Sequence, residues 1–323
     1  MAVLLRGLKH HVGEELADLT AVVTVADDGG SSGRLRRHFG ILPPGDIRNC
    51  MVAVADDEDL LARLFQYRFP NGGGLSGHSF GNLFLTALTG ITGDFYQAIV
   101  TAESILAVRG RILPATLTDV RLRGAGLSGR VYEGESAVGR SGERLRSLEI
   151  QPAQAAAFPP AMTAIRQADV IVLGPGSLYT SVLPNLLIPG IRAAIRSSSA
   201  PVVLVLNLMT QPGETDHMRA REHVEAIERH AGEGLVDYLL VNADPPSKGL
   251  LELYADTGSE LVALAASERE DLGARLVEKD LLAEGDLIRH DPAKLSRAVL
   301  EIARKTMEDS TTSVGEERDD REE

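Results

Sequence analysis

Asp27 and Asp28 close the β-branched run Val22-Val23-Thr24-Val25 and are followed by Gly29-Gly30-Ser31-Ser32-Gly33 and the bases Arg34, Arg36 and Arg37. Two carboxylates at a strand end are suited to a ligand or to Mg²⁺, which takes one or two carboxylates and completes its shell with phosphate and water. The glycines let a ligand approach the backbone, and free N–H groups there bind phosphate or a sugar hydroxyl. The same string also suits an ordinary strand-to-helix turn in which an aspartate caps the helix. Three further loops share this punctuation: PPGDIRN (43–49), NGGGLSGHSFGN (71–82) and DVIVLGPGSLYTS (169–181). They supply Asp46, Arg48, Asn49, His78, Asn82, Ser177, Tyr179 and Thr180 as hydrogen-bonding groups, and Gly174 and Gly176 as a second backbone cradle. Asp46 and Arg48 could equally form a structural ion pair. His78, between Gly77 and Ser79, suits donation to a phosphate or service as an acid. Four such loops exceed what turns alone require, and one site gathered at a sheet edge explains them together.

The elements that would position these groups read as α/β. A strand is expected over Thr20–Ala26, and helices over Ala2–Lys9, Arg48–Arg68, Ser79–Thr89 and Phe95–Leu106. Residues 115–149 change character, with short β-like pieces and glycines at 124, 126, 129, 134, 139 and 142. They read as a strand-rich insertion. Helices over Ala161–Gln167, Leu187–Arg196, Asp216–Ala231 and 249–257 then alternate with strands over Val170–Leu173, Val202–Asn207, Tyr238–Asn242 and Leu261–Ala263. Continuous apolar strands such as PVVLVLN mark a parallel sheet buried on both faces. Asn207 and Asn242 end two of these strands, where each could meet a base or ribose or cap the next segment. The last helix is expected over Pro292–Lys305. One domain over 1–307 and a disordered acidic tail over 308–323, with eight acidic and two basic residues, complete the reading.

Composition narrows the function classes. A net charge of −13 argues against a nucleic-acid partner, and an aromatic share of 4% without tryptophan argues against a stacking platform for single strands. The single cysteine, Cys50, excludes an internal disulfide framework and fits a reducing compartment. No apolar run reaches the ~20 residues of a membrane span. A soluble cytoplasmic protein is the expectation.

The strings VTVADDGGSSGRLR, PPGDIRN, GHSFGNL, LGPGSLYTSVLPNLL, NLMTQPGET and IRHDPAKL together resemble the gluconeogenesis factor family, the YvcK-like branch of the CofD (2-phospho-lactate transferase) superfamily. The resemblance runs from Leu4 to about Lys305. It implies a Rossmann-like, mostly parallel sheet with helices on both faces, a cytoplasmic location, and binding of a UDP-sugar or another nucleotide diphosphate. It further implies a regulatory role in cell shape and peptidoglycan precursor supply on gluconeogenic carbon sources. The transferase branch implies the rival reading, a Mg²⁺-dependent transfer of a phospho-lactyl group from a nucleotide diphosphate donor to a flavin-like acceptor.

Carried onto this sequence, the resemblance implies ligand contacts from Asp27, Asp28, Gly29, Gly30, Ser31, Ser32, Asp46, Arg48, Asn49, His78, Asn82, Gly174, Gly176, Ser177, Asn207 and Asn242. Asp27 and Asp28 are the metal candidates, and with His78 the catalytic ones. Tyr254 and Arg289 fall in the family's nucleotide-sugar region, Arg289 as a phosphate clamp and Tyr254 as a stacking or hydrogen-bonding group; a core-edge tyrosine and a surface ion pair are the alternatives. The family also implies a GGGTGLS-type loop ahead of the Val3–Lys9 helix. Met1 stands where that loop would end, so the expectation is a start set further upstream. Other expected partners are a second copy in a homo-oligomer and a kinase acting on Ser310–Ser313.

Overall fold

A computed structural model describes residues 1–56, 59–70, 72–269 and 271–319. Strand β1 (Thr20–Val23) pairs in parallel with β2 (Arg111–Pro114). An antiparallel sheet follows in the order β4 (Val131–Glu133), β3 (Arg121–Gly126), β5 (Leu145–Gln151). The second half builds a parallel sheet, β6 (Ile171–Leu173), β7 (Val202–Val205), β8 (Tyr238–Asn242) and β9 (Arg275–Lys279), in sequential order. The fold is α/β. Its parallel strands form a two-stranded and a four-stranded sheet, with helices packed around both.

The strands go where their side chains can be buried. All four residues of β7 are buried, as a central parallel strand covered on both faces requires. Some helices start where a polar side chain satisfies a first N–H group. Asp94 accepts from Gln97 N at 2.7 Å to open the Phe95–Ile105 helix, and Ser79 accepts from Asn82 N to open Phe80–Thr92.

Four expectations are corrected. The span Arg48–Arg68 is two helices, Gly45–Val54 and Asp59–Gln66. Ala55 is extended and bridges Val108, which stops the first helix. The helix expected from Asp216 begins at Ala220, after His217 takes a positive φ. Leu261–Ala263 is not a sheet strand: Leu261 makes an isolated bridge to Met209 and its segment braces the 208–215 loop. The fourth strand is instead β9, an edge strand with Arg275, Glu278 and Lys279 exposed, so it carries no apolar run. The last helix runs over Pro292–Asp319, past the point where a disordered tail was expected. Residues 320–323 of that tail lie outside the described residues.

Among the described residues no single helix is long and apolar enough to cross a membrane.

Candidate functional site

Beyond β1 the chain turns through Asp27–Gly29 into the Gly30–Phe39 helix. That helix starts on Gly29 with no side-chain cap, so its first N–H groups have no capping carboxylate or hydroxyl. The two aspartates diverge. Asp27 Oδ1 accepts from Gly29 N at 2.8 Å and shapes the turn. Asp28 Oδ1 accepts from Ser136 N at 2.9 Å, fastening the turn to the strand-rich insertion. This fastening explains Gly134, whose φ is +90° and where a Cβ would stand 1.9 Å from Asp28 Oδ2. Only glycine permits that approach.

The loops then lock together. Ser32 Oγ accepts from Asn82 Nδ2 at 3.2 Å. Ser31 Oγ and His78 Nδ1 are 3.0 Å apart. Gly45, first residue of its helix, sits so near Ser32 and Asp27 that a Cβ there would come within 2.5 Å of Ser32 Oγ. Arg48 is buried and donates to Asn49 Oδ1 at 2.6 Å, which uses the exposed Asn49 as a brace. Arg48 Nε and Asn82 Oδ1 are buried with no partner among the described residues. Three of the four loops therefore meet at Asp27, Ser31, Ser32, Asp46, Arg48, His78 and Asn82.

Glu135 joins this cluster unannounced by the sequence, from the insertion rather than from a glycine loop. Its Oε2 is buried with no N–H or O–H donor upon it. Burial, with Asp27 and Asp46 nearby and a hydrogen bond shared with Asp27, pushes Glu135 up to about 9. The protonated form of Glu135 is therefore favoured over the charged one at neutral pH. Burial and the Asp27 charge also raise Asp46 to about 6.

The GPGS loop is built differently. Gly174 has φ +81°. Asn207 answers both backbone groups of Gly176, accepting from its N at 3.1 Å and donating to its O at 2.9 Å. Gln211 donates to Ser177 Oγ at 2.8 Å. Glu214, which sequence reading passed over, is buried and accepts from Tyr179 N at 2.8 Å and Thr180 N at 3.2 Å. Asn242 likewise turns inward, accepting from Leu281 N at 2.9 Å and donating to Asp244 O. Both strand-end asparagines thus position loops with their amides. Tyr254 Oη accepts from Ile288 N at 3.1 Å, so it holds the segment that carries Arg289, which is exposed.

The Met1 amino group donates to Pro175 O and is close enough to Asp46 and His290 for mutual charge effects. It thus links the GPGS loop to Asp46 of the first-half cluster and to His290, just ahead of the last helix.

The oxygen donors Asp27, Asp46 and Glu135 have the hardness Mg²⁺ prefers, and the donor-free Glu135 oxygen is a group such an ion would satisfy. No three His, Cys, Asp or Glu side chains among the described residues already stand as a metal-holding group.

A family model described as 2-phospho-L-lactate transferase CofD matches residues 1–282. A Nostoc protein is 50% identical over 303 residues, 93% of this chain and 66% of its own length. A Halalkalibacterium halodurans protein described as gluconeogenesis factor is 46% identical, covering 93% of this chain and 92% of its own. A Bacillus subtilis protein with the same description is 43% identical, at 94% and 95%. A crystal structure of a Bacillus halodurans protein superposes with a TM-score of 0.88 at 46% identity, covering 93% of this chain and 95% of that one.

Proposed function

Starting from a chain that belongs to the CofD family, we propose that it is a cytoplasmic UDP-sugar-binding regulator of cell shape and peptidoglycan precursor supply during growth on gluconeogenic carbon. Its relatives' description as gluconeogenesis factors agrees with that setting. The observation that carries the binding reading is the uncapped start of the Gly30–Phe39 helix, flanked by Gly45 and Gly134 where no Cβ obstructs. A helix N-terminus with orphan N–H groups favours an anion through both hydrogen bonds and the helix dipole. The diphosphate would lie there and against the pinned GPGS loop. Tyr254 and Arg289 would hold the sugar or base end.

One observation favours the second reading, a Mg²⁺-dependent phospho-lactyl transferase: the gathering of Asp27, Asp46 and Glu135. These three would hold the ion, which when bound supplies charge neutralisation at the phosphates. Asp28 holds the insertion over the turn through Ser136, and His78, kept below its usual range by burial and by Arg34, offers a neutral imidazole to an acceptor hydroxyl.

Calorimetric titration with UDP-GlcNAc, UDP-glucose and GDP, followed by incubation with Mg²⁺ and a flavin-like acceptor, separates the two. Binding of a UDP-sugar without transfer is expected. Transfer to the acceptor that Asp27→Asn abolishes would overturn the regulator in favour of the transferase.

A further inference from the structure

Around Gly77 the molecule collects positive charge that no carboxylate among the described residues pairs with. Arg34 comes from the second turn of the Gly30–Phe39 helix, and Arg68 and His78 come from opposite arms of the 67–80 loop. The arms are joined by Phe69 N to His78 O and Gly77 N to Phe69 O, both 2.9 Å, and by a bridge between Arg68 and Ser79. Arg68 reaches across to the Gly77 carbonyl at 3.4 Å. Arg34 Nη2 lies 3.2 Å from where a Cβ on Gly77 would stand, so its guanidinium rests against bare backbone. Arg34 Nε is buried and unpartnered. Among the described residues neither Arg34 nor Arg68 forms an ion pair, whereas their neighbour Arg36 is paired with Asp119 and bonded to Val120 O. Burial first, and then the charge of Arg34, disfavour the protonated form of His78. Arg48, one layer deeper, feels Arg68 most strongly among charges. Like charges crowded into one loop cluster repel, and in a chain of net charge −13 such a patch is a local exception.

We infer that Arg34 and Arg68 form a subsite for the phosphate group of a second ligand, beside the nucleotide site. Two guanidinium forks present paired N–H donors that match phosphate oxygens. The imidazole of His78, oriented by Ser31, borders the subsite on the nucleotide side. The inference rests on the reading that the DDGG loop holds the nucleotide ligand, which makes this phosphate belong to a different molecule.

The test is calorimetric titration of the full chain with inorganic phosphate, alone and at saturating UDP-GlcNAc. Wild type is expected to bind phosphate in both conditions. Arg34→Gln should weaken that binding by at least ~tenfold, and Arg68→Gln, at an exposed position, by less. Both variants should keep the wild-type affinity for UDP-GlcNAc, and thermal melts confirm that they fold. Absence of phosphate binding in wild type overturns the subsite, as does unchanged phosphate affinity in both variants. Complete displacement of phosphate by UDP-GlcNAc places the anion in the nucleotide site and also overturns it. Failure of UDP-GlcNAc to bind, with phosphate binding still lost in Arg34→Gln, sinks the nucleotide reading and leaves the subsite standing.

Discussion

The two halves of the molecule use the same polar residue types at their strand ends in opposite ways. In the second half the strand-end and loop groups brace backbone, although Asn185 Oδ1, Gln211 Oε1, His223 Nε2 and His290 Nε2 are also buried with no partner among the described residues. Asn207 answers Gly176, Glu214 answers Tyr179 and Thr180, Asn242 answers Leu281 and Asp244, and Tyr254 answers Ile288. In the first half Arg48 Nε, Asn82 Oδ1 and Glu135 Oε2 are buried with no N–H or O–H partner among the described residues, and the Gly30–Phe39 helix keeps an open end. Folded proteins pair nearly all buried polar groups. The difference lies at the strand-end loops: in the second half their polar side chains brace backbone, and in the first half carboxylates crowd together beside an open helix end.

The largest test of this contrast is Glu214→Ala. It strips the acceptor from two buried N–H groups at ~1–3 kcal/mol each, so urea denaturation should show a loss of ~3–5 kcal/mol. A loss below ~1 kcal/mol would show that the second half does not depend on its internal pairing.

The first half should respond with the opposite sign. Glu135 is raised from 4.5 to about 9, so the folded state binds a proton that the unfolded state lacks between those values. Its contribution is unimpaired below pH 4.5 and becomes increasingly unfavourable as pH rises towards 9. Glu135→Gln removes that slope and should be more stable than wild type by ~2–3 kcal/mol at pH 7. Equal stability at pH 5 and a growing difference towards pH 9, measured by denaturation, is the expected pattern; a variant less stable at every pH would refute the crowded-carboxylate account.

Arg289→Ala should leave folding untouched and weaken UDP-sugar binding by ~2 kcal/mol, a loss of roughly ten- to hundredfold. Unchanged affinity by calorimetry would remove Arg289 from the ligand site.

The smallest effect concerns His290, buried with Nε2 unpartnered and pushed by burial from 6.5 down to about 4. The unfolded chain takes up a proton first, so this group's stability is present above pH 6.5 and is lost as pH falls towards 4. Wild type should lose ~1 kcal/mol relative to His290→Gln between pH 7 and 5.5. Parallel pH profiles for the two proteins would show that His290 is not held neutral by the fold.

Much of this architecture is legible in the sequence, because local rules act over a few residues. Tyr238–Asn242 is a strand over the expected residues, since a continuous apolar run suits only a buried parallel strand or a short core helix, and five residues are too few for the latter. The Gly-Ser loops announce themselves because only glycine tolerates their backbone and their closeness of approach. The β9 strand is illegible because an exposed edge needs no apolar pattern, and Leu261 misleads because an apolar residue can brace a loop as well as a sheet. Glu135 could not be found from spacing: it lies more than a hundred residues from Asp27, and nothing local distinguishes it from a surface glutamate.

By itself, then, the sequence determined the alternation of elements, the loops that bear chemistry, and membership of a family. Tertiary structure decided which of the polar groups in those loops are paired. Asn207 and Asp27 follow strands with equally suggestive neighbours, yet one is closed by the Gly176 backbone and the other is crowded by Glu135 from the insertion and Asp46 from the PPGDIRN segment. Pairing is a property of long-range packing, and burial sets its energetic weight. Residue type alone carries neither.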